Sequence, residues 1–233
     1  MERLDKVVAN TGEWSRREAR ELIRAGRVAV DGMPCRQPEA KVGADAVVSV
    51  DGRRISSGPV YLMLHKPGGV VSATEDPREP TVLSLLPEKY SRMGLFPAGR
   101  LDKDTEGLLL LTDDGPLAHR LLAPKNHVDK RYYMEVDGCL NWEDCLAVER
   151  GLTLEDGYTC LPAVLEPQPG GRSAYITLRE GKYHQIKRMM AARGKPVTYL
   201  KRLSFGPLEL DPELPPGGWR ALTQEEIKAL FRQ

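Results

Sequence analysis

The stretch Gly99-Arg100-Leu101-Asp102-Lys103-Asp104-Thr105-Glu106-Gly107 gathers an arginine, a lysine and three carboxylates directly before the apolar run Leu108-Leu109-Leu110-Leu111. Carboxylates so placed sit at the edge of a buried strand, where burial and neighbouring cations can tune an ionised group. Three kinds of chemistry compete for this cluster. Asp102, Asp104, Glu106, Gly107 and Asp113 fall on positions of a degenerate EF-hand calcium loop. Gly94, Pro97 and Gly99 do not suit the helix that should enter such a loop, and an apolar strand occupies positions that should hold the ion, so no metal is expected. The second reading is a charged turn whose members pair with one another. The third is catalysis by a carboxylate.

Two further segments could join such a site. Lys130-Arg131-Tyr132 reads as part of a strand Lys130 to Val136, on which Tyr132 and Tyr133 must point to opposite faces. Glu180-Gly181-Lys182-Tyr183-His184-Gln185-Ile186-Lys187-Arg188-Met189 leads into a predicted helix over 182–193, closed by Gly194. At about 100° per residue, Tyr183, Ile186 and Met190 define its apolar face and Lys187 lies on the edge of that face. A lysine turned partly inward calls for a carboxylate partner. His184 reads as structural.

These segments need a scaffold. The chain has 233 residues, enough for a small module and a medium domain that each close a core. Lys and Arg number 34 against 33 Asp and Glu, a formal net charge of +1, so a nucleic-acid reading rests on where the charges lie. The charged start Met1-Glu2-Arg3-Leu4-Asp5-Lys6 is unlike a signal peptide, and no run approaches the roughly 18 apolar residues of a membrane span. Cys35, Cys139, Cys145 and Cys160 form no C-x-x-C pair. A reduced, cytoplasmic protein away from membranes is the expectation.

Near the N-terminus, Leu4, Val7 and Val8 give a short helical face, and Ser15 with Glu18 forms a capping box for a helix ending at Gly26. Arg16, Arg20 and Arg24 make one stripe on that helix, with Arg17 beside it and Arg27 just beyond. Such a stripe is either a solvated face paired with Glu18 and Glu21 or a phosphate-binding surface. Strands at Val28 to Val30 and Val47 to Val50 end in the turns Asp31-Gly32 and Asp51-Gly52. Ser56-Ser57-Gly58-Pro59 reads as a hinge. Beyond it come strands at Val60 to Leu64, 108–111, Lys130 to Val136 and Ser173 to Leu178, with helices after Asp114-Gly115-Pro116 and after the capping box Thr223 to Glu226. Strands mixed with helices in this way predict an α+β domain with a largely antiparallel sheet. Residues 140 to 172 add little.

Arg3-Leu4-Asp5-Lys6, Ser15-Arg16-Arg17-Glu18-Ala19 and Ile23-Arg24-Ala25-Gly26-Arg27-Val28-Ala29-Val30-Asp31-Gly32 together resemble an S4 domain of the alpha-L type. The run from Gly99 to Gly115 resembles the catalytic motif of RsuA-type rRNA pseudouridine synthases, and the two further segments resemble that family's K-x-Y and G-x-x-H-Q-I-[RK]-R-M motifs in type and order. The resemblance extends from Arg3 to about Ile227, and the layout is most similar to the family's small-subunit rRNA member. It implies an S4-like RNA-binding domain over 1–57 and a pseudouridine synthase domain over 58–233, its mixed sheet flanked by helices. It also implies Asp102 as the catalytic carboxylate with Lys187 in contact with it, and Arg100, Tyr132, Lys187 and Leu200 as active-site support. Arg3, Lys6, Arg16, Arg17, Arg20, Arg24 and Arg27 would contact RNA phosphates.

One carboxylate suffices for that reaction. A glycoside hydrolase needs two, because one protonates the leaving group while the other delivers a nucleophile. In pseudouridine formation the departing uracil itself returns, so the site needs one carboxylate at the sugar and a closed pocket. Asp102 would either attack C1′ or remove the C2′ proton, Tyr132 would hold the ring, and Arg100 would fill the gap left by the extruded base or grip its phosphate. No cofactor is implied. The implied partner of the monomeric protein is rRNA or a ribosomal subunit assembly intermediate. Large-subunit rRNA is the alternative substrate, and a non-catalytic rRNA-binding assembly factor is the alternative of a different class.

Overall fold

The computed structural model describes residues 1–43, 45–55, 58–123, 126 and 128–232. Two compact units emerge, Met1–Val60 with Leu86–Phe96, and Tyr61–Leu85 with Pro97–Gln233. Ser56 and Ser57 of the expected hinge lie outside the described residues.

In the first unit β1 (Glu2–Arg3), α1 (Leu4–Ala9) and α2 (Arg16–Arg24) precede β2 (Val28–Val30), β3 (Met33–Pro34), β4 (Lys41–Val42), β5 (Val48–Val50) and β6 (Arg53–Arg54). Ser15 caps α2 by accepting from the Glu18 amide while the Glu18 carboxylate accepts from the Ser15 amide, the expected capping box. β3-β2-β5-β6 is an antiparallel sheet. Its turns put Asp31 and Gly32 at φ 50° and 81°, and Asp51 and Gly52 at 50° and 79°. Paired positive φ values let a tight turn follow the twist of its strands. Leu4, Val8, Ala19, Ile23 and Val28 form the middle of this unit's core. The later segment carries α3 (Glu88–Arg92).

One buried carboxylate organises the basic surface of this unit. Asp5 accepts from Arg3 Nε at 3.0 Å and Arg20 Nε at 2.9 Å, with Arg16 Nε 3.7 Å away. The Arg3 hydrogen bond dominates in pulling the Asp5 carboxyl down to about 2. A folded value below the ordinary one stabilises the fold above about pH 4, and the contribution fades as pH falls towards about 2. Because the arginines are half exposed, Asp5→Asn is expected to cost only about 1 kcal/mol at neutral pH. Urea denaturation should show that gap closing at pH 2; a gap of equal size at both pH values contradicts the assignment.

The second unit is built on one mixed sheet. Its elements are β7 (Tyr61–Lys66), β8 (Phe96–Pro97, at the boundary), β9 (Glu106–Thr112), α4 (Gly115–Leu122), β10 (Lys130–Val136), α5 (Trp142–Arg150), β11 (Val164–Pro167), β12 (Ser173–Leu178), α6 (Gln185–Ala192), β13 (Val197–Phe205), β14 (Leu208–Glu209), β15 (Trp219–Ala221) and α7 (Gln224–Phe231). The sheet runs β11-β12-β10-β13-β9-β7-β15. Along this path every pair is antiparallel except β9 with β13, where Glu106 and Gly107 lie beside Lys201 and Arg202. This is the α+β, largely antiparallel architecture expected. Leu108 to Leu111 are fully buried, so the four-leucine run is a central strand covered on both faces. Among the described residues no helix is long and apolar enough to cross a membrane.

One expectation needs correction. α6 begins at Gln185 rather than at residue 182, because His184 takes a left-handed conformation at φ 48° and ψ 32° and interrupts the helical path. Tyr183 therefore leaves the apolar face: it is 76% exposed and its ring stacks on His184 with centroids 3.8 Å apart. Residues 140 to 172 hold α5 and β11, and α5 is capped by Asn141 and Asp144 in a reciprocal box.

Candidate active site

The Asp102 turn is held by groups outside it. Ser72 Oγ accepts from the Leu101 amide at 3.0 Å and donates to the Leu101 carbonyl at 2.9 Å, fixing the residue before Asp102. On the other side the buried Lys66 Nζ donates to the carbonyls of Pro67 (2.9 Å), Lys103 (3.1 Å) and Thr105 (2.8 Å). The Gly69 amide adds a bond to the same Lys103 carbonyl at 2.8 Å. Burial pushes the Lys66 ammonium down to about 8, opposed by the negative charges of Asp104, Glu106 and Asp102. Lys66, the last residue of β7, thus also clamps the turn.

Asp102 lines a cleft open to solvent, with Arg100, Tyr132, His184, Lys187 and Leu200 among the residues around it. Its side chain is 26% exposed and one carboxylate oxygen sits 3.2 Å from Lys187 Nζ, the expected pair. Asp104 lies closer to the same lysine, at 2.5 Å, but is 74% exposed. Burial alone would lower the Lys187 ammonium, and the hydrogen bonds to Asp104 and Asp102 outweigh it, holding the lysine above its ordinary value. In Asp104, too, burial is outweighed by the lysine, so its carboxyl falls below the usual range. The three carboxylates of the turn do not converge on a cation site, since Glu106 turns instead to the Tyr199 hydroxyl at 2.8 Å.

Tyr132 and Leu200 come from neighbouring strands and are both buried, at 7% and 6% exposure. They give the cleft an apolar wall suited to a flat ring. Tyr133 faces away, packing edge-on against Tyr175 and Tyr199. Arg100 is exposed at the rim. His184 joins the cleft although its sequence setting pointed to a structural part: its Nε2 lies 3.6 Å from the other Asp102 oxygen. The signal for it was weak, because only the left-handed turn before α6 aims the ring at Asp102. One carboxylate, one ammonium and an apolar slot together can hold a planar base beside a negative oxygen.

The basic residues of the first unit are gathered but not idle. Arg3, Arg16 and Arg20 surround Asp5, Arg17 pairs with Glu21, Lys6 with Glu2 and Arg27 with Asp51. Among the described residues Arg24 has no ion-pair partner. All of these pairs except those of Asp5 are exposed on both sides, and such pairs yield readily to phosphate. The expected partner Glu18 is instead occupied by the helix cap.

Residues 60–192 match the family described as RNA pseudouridylate synthase, and residues 2–48 match the S4 domain. The chain is similar to an uncharacterised RNA pseudouridine synthase, YtzG, of Bacillus subtilis, at 48% identity covering 98% of each chain. It is also similar to ribosomal small subunit pseudouridine synthase A of Pseudomonas aeruginosa, at 46% identity over 97% of this chain and 98% of the relative, and of Escherichia coli, at 40% over 98% and 99%. A crystal structure of a pseudouridylate synthase superimposes with a TM-score of 0.69 at 34% identity, covering 99% of this chain and 100% of the other.

Proposed function

The chain belongs to the RNA pseudouridylate synthase family, and from that premise we propose that it isomerises one uridine of small-subunit rRNA, with Asp102 as the catalytic carboxylate. The observation that carries the reading is the Asp102 carboxylate, 3.2 Å from Lys187 at a cleft walled by Tyr132 and Leu200. A binding-only assembly factor would not need such a carboxylate on a turn whose backbone is held by Lys66 and Ser72 from two sides. The names of the relatives at 46% and 40% identity favour the small-subunit substrate over a large-subunit one.

In this reading residues 1–57 bind RNA and 58–233 carry the reaction. Asp102 acts at the ribose of the extruded uridine while Tyr132 and Leu200 hold the uracil ring, so that it can turn and bond through C5. Lys187 fixes the orientation of the carboxylate, Arg100 guards the rim, and His184 supports the other Asp102 oxygen. The protein works as a cytoplasmic monomer on rRNA or an assembling subunit. Mapping pseudouridine in rRNA from cells with and without the gene is expected to show one small-subunit site lost; a loss confined to large-subunit rRNA refutes the substrate assignment.

The basic surface has its own test. Replacing Arg16 and Arg24 by Gln is expected to weaken RNA binding whatever the sequence and to flatten its salt dependence by about one logarithmic unit for each phosphate no longer neutralised. Turnover at saturating RNA should hold. A salt slope equal to that of the parent protein makes the stripe a solvated face.

A further inference from the structure

Beside the cleft lies a second hollow of about 1270 Å³ of empty space, and the two share Arg100, Tyr132, Gly181 and Lys182 as a common wall. Apart from Arg100 and Tyr132, its lining has no part in the reaction proposed for the cleft. Among the described residues its polar lining is cationic: Arg100, Lys130, Arg179, Lys182 and Arg202, with Arg179 paired to Asp129 at 2.8 Å, are set against one lining carboxylate, Glu180. That carboxylate is taken up by neutral donors: the Tyr158 hydroxyl at 2.6 Å, the Leu161 amide at 2.7 Å and the Gln185 side chain at 2.5 Å.

Two of the cations are drawn back from water, Lys130 in part and Arg202 almost wholly. Arg202 is 2% exposed; its Nε donates to the Leu108 carbonyl at 2.7 Å, but one terminal guanidinium nitrogen has no hydrogen-bond partner among the described residues. Lys130 Nζ donates to the Val128 carbonyl at 2.9 Å, and burial, reinforced by the charge of Arg202, pushes its ammonium down to about 8. A buried guanidinium beside an ammonium of like charge is costly, and the negative charge of an anion in the hollow offsets that repulsion. The rest of the lining is apolar or aromatic. Leu122 and Leu161, 43% and 41% exposed, face the hollow together with the ring of Tyr158. Solvent-exposed leucines next to paired cations suit a ligand with a flat ring and a phosphate.

We infer that this hollow is a second nucleotide subsite. It takes the nucleotide adjoining the target uridine, with its phosphate against Lys130, Arg202 behind that phosphate, and its base against Leu122, Leu161 and Tyr158. The inference rests on the RNA-modifying reading of the cleft, because the shared wall is what makes two consecutive nucleotides fit. Holding the neighbour keeps the target extruded, since the strand is then gripped on both sides of a single phosphodiester.

The test uses an rRNA fragment that the wild-type protein binds and modifies, together with derivatives in which the nucleotide on either side of the target is abasic or joined through an uncharged methylphosphonate. Equilibrium titration is expected to show binding weakened about tenfold by the abasic change on one side only, and a similar loss from the methylphosphonate on that side. Leu161→Ala should shrink the abasic penalty and Lys130→Met the methylphosphonate penalty. If Lys130→Met does not fold, the wild-type protein and the exposed Leu161 variant still decide. Parent-like binding of both abasic RNAs overturns the subsite, as do penalties unchanged in the variants. Pseudouridine formation, measured in parallel, separates the two claims: product without an abasic effect removes the subsite alone, and an abasic effect without product removes the isomerase reading alone.

Discussion

Asp102→Asn is expected to reduce tritium release from C5-labelled uridine in rRNA to background, a loss of about four orders of magnitude, the scale seen when a reacting group is removed. The substitution keeps size and most hydrogen bonding and deletes the negative oxygen at the sugar. Folding should be retained, because the side chain is partly exposed and the turn is held through backbone atoms by Lys66 and Ser72. RNA affinity should hold or rise slightly, as a negative charge near phosphates disappears. Asp104→Asn is the control. It shares Lys187 but stands in solvent, so activity within about tenfold of the parent is expected, with Lys187 passing wholly to Asp102. Activity retained in the Asp102 variant and lost in the Asp104 variant would move the catalytic carboxylate two positions along the turn. Activity in both returns the cluster to a charged turn.

Gly107→Ala should be the most damaging small substitution in the second unit. Gly107 has a φ of 105°, and a Cβ added there would stand 2.1 Å from the carbonyl oxygen of Arg202 and 2.6 Å from its amide nitrogen. These are backbone atoms of the adjoining parallel strand and cannot rotate aside. Overpacking of about 3 kcal/mol and backbone strain of about 1–3 kcal/mol add here, against a total stability of about 5–15 kcal/mol for a typical domain. A fall of at least ten degrees in the melting temperature, or insoluble expression, is expected. A variant melting with the parent protein contradicts the close approach of β9 and β13.

Much of this was readable from residue types. The Ser15 and Thr223 capping boxes, the Asp-Gly turns and the four-leucine strand are local patterns, and local hydrogen bonding decides them. Helix periodicity placed Lys187 at the edge of the apolar face and the family resemblance paired it with Asp102, though that periodicity also placed Tyr183 inward, where one left-handed residue turns it out. Helix α5 was missed because its box uses Asn141 and Asp144 in place of the commoner Ser and Glu. The part of Lys66 in holding the turn was out of reach for another reason. A lysine at a strand end looks like a solvated charge until the chain wraps three carbonyls around it. The hollow beside the cleft was equally hidden, since its lining comes from segments as distant as Arg100 and Arg202.

The parallel contact of β9 with β13 also sets an order of events during synthesis. β13 lies between β10 and β9 in the middle of the sheet, although it is nearly the last long strand to leave the ribosome. Until Val197 to Phe205 emerges, β9 and β10 each present an unpaired edge, and Tyr132 lacks Leu200 beside it. Helix and hairpin contacts of the first unit are short in sequence and can close early, whereas this sheet must wait for a pairing that spans some ninety-five residues. Growing chains therefore pass through a period in which the RNA-binding face is made and the cleft is not. The open edges of β9 and β10 are where chaperones or aggregation would act first.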